Sequence, residues 1–309
     1  MSATIYEWYG YRVEDRSEVA ASTAAARHCP FTYGACIKDS GACSIEPFRS
    51  GERVVICPRR LYFDDYSFLT HIAEDAFSDL LVDIGPHGRP SLVSASQARQ
   101  VATTNGVSQV GVFGGAWDSE VRLPSTMGGG SGGYSVDFTL IVIDPTGELI
   151  RLTPVEVQSI DTTGSLRTSV AGLVRAREAV PSGVGLNWEN VNKRILPQLI
   201  QKGLMLQAEA LCTSGIYFVT PDPVFRKVMA RLGGEQRFRR VPKQPGSITF
   251  VRYDYDYSAA VPDGQIMPLK QVSDFRISTS DLSIAFITPE NLPASGSYAT
   301  AIRRRLGIR

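Results

Sequence analysis

The stretch Ser135–Thr163, SVDFTLIVIDPTGELIRLTPVEVQSIDTT, constrains the fold more than any other part of the chain. Two apolar runs flank Asp144-Pro145-Thr146-Gly147, which is turn chemistry: proline pre-sets one dihedral and glycine accepts the strained one. A β-hairpin is predicted. If it is centred between Thr146 and Gly147, paired positions add to 293, which sets Asp137 opposite Glu156. Directly opposed Cβ atoms lie about 4.5 to 5.5 Å apart. Gln158, two residues beyond Glu156, falls on the same face of the pleat. Two carboxylates so close repel each other unless a cation sits between them, and a hard divalent ion such as magnesium prefers oxygen ligands. The alternative is a surface hairpin with solvated acids, in which Pro154 interrupts the pairing or marks a bulge.

Four of the five cysteines, Cys29, Cys36, Cys43 and Cys57, fall within about thirty residues, in CPFTYGACIKDSGACSI and VVICP. With Gly34 and Gly41 between them, such loops can bring four thiolates to one zinc or iron ion in a tetrahedral shell. The spacing lacks the paired Cys-x-x-Cys knuckles of a zinc finger, so disulfides and unpaired buried thiols remain alternatives. The N-terminal text MSATIYEWYGYRVEDRSE is polar and acidic with no secretory pattern, which favours metal over disulfide and a cytoplasmic (bacterial) location. Cys212, in an apolar stretch, reads as a small core residue.

The chain has 309 residues, 43% of them hydrophobic, enough to bury a sizeable core. There is no transmembrane stretch. A formal net charge of +1 excludes a generally sticky polycation, so any nucleic-acid contact must come from local basic patches. Two exist: Arg226 to Lys243, and the tail with Arg303, Arg304, Arg305 and Arg309. A solvated helix face and a frayed terminus are their neutral readings. With only His28, His71 and His87 present, a histidine-metal centre is disfavoured, and no hydrolase elbow is found.

The remaining pattern is mixed α/β. Helices are predicted near Ser17 to Arg27, over Tyr66 to Val82 and from Ser96 to about Thr103, with a strand from Val107 to Phe113. The glycine tract at 128–133 lacks the Gly-Lys-Ser/Thr ending of a phosphate loop and reads as a flexible approach to the hairpin, or as backbone that passes close to DNA. Helices follow over Leu166 to Val180 and Trp188 to Gln207, the second kinked at Pro197. A strand is expected at Gly215 to Val219, then a helix with Asp222 as N-cap, Pro223 as first residue and Gly233 as stop. From Ile248 to Ile287 further strands and loops are expected. The one visible boundary divides a cysteine module (1–60) from the rest (61–309).

In two places the chain resembles type II restriction endonucleases of the NotI group. CPFTYGACIK with Cys43 and Cys57 resembles that group's four-cysteine iron module. WDSEVRLP, the glycine tract, SVDFTLIVID and PVEVQSIDTT resemble its catalytic core, a variant of the PD-(D/E)XK nuclease motif with glutamine in place of lysine. Together these span roughly residues 1 to 165, and two unrelated motifs agree in order.

The resemblance implies a mixed central sheet flanked by helices, with Asp137 and Glu156 as magnesium ligands, Gln158 orienting the attacking water, and Glu120 as a further ligand or water-orienting acid. Glu120 is equally readable as a surface glutamate of a polar strand. The implied reaction is magnesium-dependent cleavage of both strands of a GC-rich palindrome, CGGCCG-like or longer, by a homodimer, leaving 5′ overhangs, with a companion DNA methyltransferase in the host. An amide carries no charge, so activation of the water would fall more on the metal. Guanines are most often read by arginine, which makes Arg237, Arg239, Arg240, Arg59 and Arg60 candidates for contact with double-stranded DNA. The competing classes are a sequence-specific binding protein without catalysis and a repair or nicking nuclease of the same fold.

Overall fold

The structure, a computed structural model, describes residues 2–123, 134–289 and 292–308. Near the N-terminus, β1 (Ala3–Trp8), β2 (Tyr11–Arg12), β3 (Ala42–Pro47) and β4 (Val54–Val55) form an antiparallel sheet in the order β2-β1-β3-β4. The main sheet has seven strands: β5 (Leu92–Ser94), β6 (Gln109–Phe113), β7 (Phe138–Ile143), β8 (Leu149–Val157), β9 (Ile216–Pro221), β10 (Ser247–Tyr255) and β11 (Leu269–Ser278). Their spatial order is β11-β10-β9-β8-β7-β6-β5. The pairs β5/β6, β8/β9 and β9/β10 are parallel and the others antiparallel, so the sheet is mixed.

The helices are α1 (Glu18–Ala25), α2 (Phe63–Ala76), α3 (Ala95–Asn105), α4 (Arg167–Ala176), α5 (Leu196–Leu206), α6 (Asp222–Arg231), α7 (Thr279–Ile287) and α8 (Ser297–Leu306). All six residues of β7 are buried because helices cover both faces of the sheet, and a strand so placed must be apolar throughout. Leu140 and Val142 pack towards α2 with Val155, Val157, Tyr217 and Val219. Ile141 and Ile143 pack on Ala95, Ala98 and Ala102 of α3. Across the same strands, Phe218 and Phe250 meet Leu199 of α5 and Phe225 of α6. The N-terminal sheet adds Ile5, Trp8, Ile45 and Val54 to that second core, so residues 1–60 have their own sheet but not their own interior.

The hairpin has the predicted register: Phe138 faces Val155, Leu140 faces Thr153 and Val142 faces Arg151. Pro154 keeps its place opposite Thr139, and the one register shift falls between Val142 and Ile143, beside the turn. The helix expected near Ser17 is α1, and Ser17 caps it, accepting from the Ala20 amide at 3.2 Å.

Other expectations change. α2 stops at Ala76 rather than Val82 and leaves Leu81 90% exposed. The Trp188–Gln207 helix is a π turn at Val191–Ile195 running into α5, with Pro197 in the first turn of α5, where its missing donor costs least. Asp222 does not cap α6: its carboxylate accepts from Arg252 Nε at 2.7 Å and Arg226 Nε at 2.8 Å, so two guanidinium groups outcompete the helix amides. The stretch after Ile248 also contains a helix, α7, capped by Ser278 at its first turn. The glycine tract lies outside the described residues. Among the described residues no helix is long and apolar enough to cross a membrane.

Candidate active site

β7 and β8 deliver the two hairpin acids to one place. Val155 and Val157 point into the α2 core, which turns Glu156 between them to the opposite face. Asp137 immediately precedes Phe138, and its Oδ2 accepts from the Val157 amide at 2.7 Å, which ties it to the end of β8. A close backbone approach makes room for this. At Gly114, with φ of +101°, a Cβ would lie 2.1 Å from the Asp137 carbonyl oxygen, so only glycine lets the loop Gly114–Asp118 pass.

That loop continues to Glu120. Asp137 and Glu120 line the same open cavity of about 880 Å³, together with Asp118, Arg122, Tyr62, Tyr66 and Arg59. Burial raises the Asp137 pKa above the usual carboxylate range, with the charge of Glu120 adding to it against the Val157 amide and Lys202. Glu156 is pushed up to about 7, first by burial and then by the Asp137 charge. One of its oxygens, Oε2, is buried without a hydrogen-bond partner. The arrangement therefore holds two neighbouring acids whose ionised forms are disfavoured, one of them with an oxygen that has no hydrogen-bond partner among the described residues.

A residue the sequence did not flag completes the geometry. Lys202, on α5, places Nζ 2.6 Å from Glu156 Oε1, with only 8% of its side chain exposed. Its charge pulls the pKa of both acids down, partly offsetting their burial. Its signal in the sequence was faint: a lysine on the apolar face of a helix, forty-six residues from its partner.

Gln158 has different surroundings. Its amide donates to the Ser159 carbonyl at 3.0 Å, and it lines a small cavity of about 130 Å³ with Asp161, Asn190 and Arg194.

The cysteines are all free thiols: Cys29, Cys43 and Cys57 are buried and Cys36 is half-buried. Cys29 and Cys43 pack around Phe31 with Cys36 against them. Burial pushes the Cys57 thiol up, and the charges of Cys29 and Cys36 push it further against the pull of Lys38. Thiols are the donor type that a soft metal takes, but among the described residues no three His, Cys, Asp or Glu side chains stand close enough to hold an ion. Cys212 is a buried core residue, as expected.

The candidate DNA-reading arginines separate. Arg60 is fully buried and bound to Glu7 at 2.9 Å, which removes it from any surface role. Arg237 donates to the Leu232 carbonyl at 3.0 Å and to Thr288. Arg240 lies over the Phe275 ring and donates to the Asp274 carbonyl at 3.2 Å. Arg239 is exposed, and Arg59 is half-buried on the large cavity. No protein-family profile matches the chain, and no curated protein matches it significantly.

Proposed function

We propose that this protein is a magnesium-dependent DNA endonuclease of the type II restriction class, with a PD-(D/E)XK-type core, acting as a homodimer on a GC-rich palindrome. The observation that carries the reading is the pair Asp137 and Glu156, the first held on the Val157 amide next to Glu156 and close enough for its charge to raise the Glu156 pKa, with Glu156 Oε2 buried and unpartnered among the described residues. A divalent cation held by these two carboxylates would polarise a phosphoryl oxygen and lower the pKa of the attacking water.

The chain's own residues do the rest. Glu120, on the same cavity as Asp137, is placed to orient a water. Lys202 supplies the fixed positive charge that the Gln158 amide lacks, at 2.6 Å from Glu156, and can offset charge that develops on the phosphate. Gln158 holds the end of β8 through its backbone, donating to Val219 O at 2.9 Å and accepting from Thr220 Oγ1 at 2.9 Å. Cys29, Cys36, Cys43 and Cys57 would be the ligands of structural iron or zinc. The two-fold of a palindrome calls for a symmetric pair with one site per strand, and a host of such an enzyme needs a protecting methyltransferase.

The test is to incubate the protein with a plasmid of mixed sequence, with and without magnesium, and to sequence the ends. Discrete magnesium-dependent fragments sharing one palindrome and 5′ overhangs are expected, and Asp137→Asn should abolish them while DNA binding persists. DNA that is bound but left intact, with no dependence on magnesium, would replace this reading by that of a non-catalytic binding protein.

A further inference from the structure

We propose that Arg59 grips a phosphate of the cleaved strand inside the catalytic cavity, so that the cysteine segment supplies one wall of the site; this rests on the nuclease reading above. The cavity that contains Asp137 and Glu120 is bounded on its other side by Thr32, Gly34, Ala35 and Arg59. A phosphodiester entering it would meet three acids, Asp118, Glu120 and Asp137, and needs positive charge to stay there. Arg59 is such a charge: it pulls down the pKa of Tyr62 and Tyr66 on the same cavity, against the burial that raises both.

The turn that carries it is held rigidly. Arg59 lies in a short 3-10 turn, Pro58–Tyr62, which starts directly after Cys57. The next residue, Arg60, is anchored inward: its amide donates to the Cys57 carbonyl at 3.0 Å and its guanidinium is locked on Glu7. The Arg59 side chain, by contrast, makes one hydrogen bond among the described residues, a long one of 3.5 Å from Nη1 to the Ala35 carbonyl. Its remaining donors are available. A guanidinium fork fits two phosphate oxygens, and an anchored backbone lowers the entropy lost on binding. Because the cavity leads to the carboxylates, the group placed there is backbone phosphate and not a base edge, so Arg59 is not a base reader.

The experiment compares wild type, Arg59→Ala and Arg59→Lys in salt-dependent DNA binding without magnesium and in single-turnover cleavage with it. Arg59→Ala should cut about 10- to 100-fold more slowly at an unchanged sequence, with an unchanged thermal midpoint. Its salt slope should fall by about one, and Arg59→Lys should recover part of the rate. Should Arg59→Ala fail to fold, Arg59→Gln keeps a donor for Ala35 without the charge and must show the same losses. A wild-type rate and slope in these variants, or a changed cleavage sequence, would overturn the role. Wild-type protein that cuts no DNA would overturn the nuclease reading as well, which separates the two failures.

Discussion

Two buried carboxylate sites in this molecule are opposites. Glu7 is wholly enclosed, yet it accepts from Ser44 Oγ at 3.0 Å, from Arg60 Nε and Nη2 at 3.0 and 2.9 Å, and from Tyr255 Oη. Glu156 has one partner, Lys202, and an empty oxygen. Taking a carboxylate out of water is costly, and the first site offsets that cost with donors already in the chain. The second does not, and it adjoins a second acid, Asp137, which lines an open cavity. A satisfied acid holds a fold together, whereas Glu156 keeps a buried oxygen without a donor among the described residues.

The largest effect that can break this comparison is at the satisfied site. Arg60→Met leaves Glu7 buried with its main partner gone and should cost about 3 to 5 kcal/mol in urea unfolding. The double variant Glu7→Leu with Arg60→Met should recover most of that, since no charge is then stranded. A single variant as stable as wild type would show that Glu7 is not the structural member of the pair.

A smaller and opposite effect is expected at the unsatisfied site. Glu156 has its pKa raised from 4.5 to about 7, so the folded state holds its proton more tightly than the unfolded chain. Its contribution to stability is therefore complete below about pH 4.5 and is lost as pH rises through about 7. Glu156→Gln should flatten this decline and leave the metal-free protein at pH 8 more stable by about 2 kcal/mol, as read from thermal or urea unfolding. Magnesium should stabilise wild type at pH 8 and not the variant. Equal magnesium responses would mean that the cation binds elsewhere.

The smallest effect sharpens the contrast with an ordinary surface pair. Burial works against protonation of His71, but the hydrogen bond and charge of Asp274, 3.0 Å away, outweigh it and raise its pKa. The stability this adds is present below pH 6.5 and is lost as pH rises through the raised value. His71→Gln should remove less than about 1 kcal/mol at pH 6 and almost nothing at pH 9. A loss of several kcal/mol at pH 6 would place this pair with Glu7 and not with the surface.

The sequence by itself determined the local and short-range parts of this protein. The turn at Asp144–Gly147 set the hairpin register, because strand pairing repeats every two residues and a turn of known length leaves one alignment, and Asp137, one residue before the paired stretch, lies close enough to Glu156 for its charge to be felt there. The cap at Ser17 and the place of Pro197 in the first turn of α5 follow from backbone chemistry that each residue carries wherever it sits. Only the tertiary structure decided which charges are used up. Arg59 and Arg60 are neighbours of one type, but a 3-10 turn sends Arg60 to Glu7 and leaves Arg59 on the cavity. Asp222 reads as a helix cap until Arg226 and Arg252 claim it, and Lys202 is one helical lysine among several until α5 lays it on Glu156. Partners distant in the chain meet only when the sheet and its helices pack. Burial and charge are properties of that packed neighbourhood and not of the residue alone.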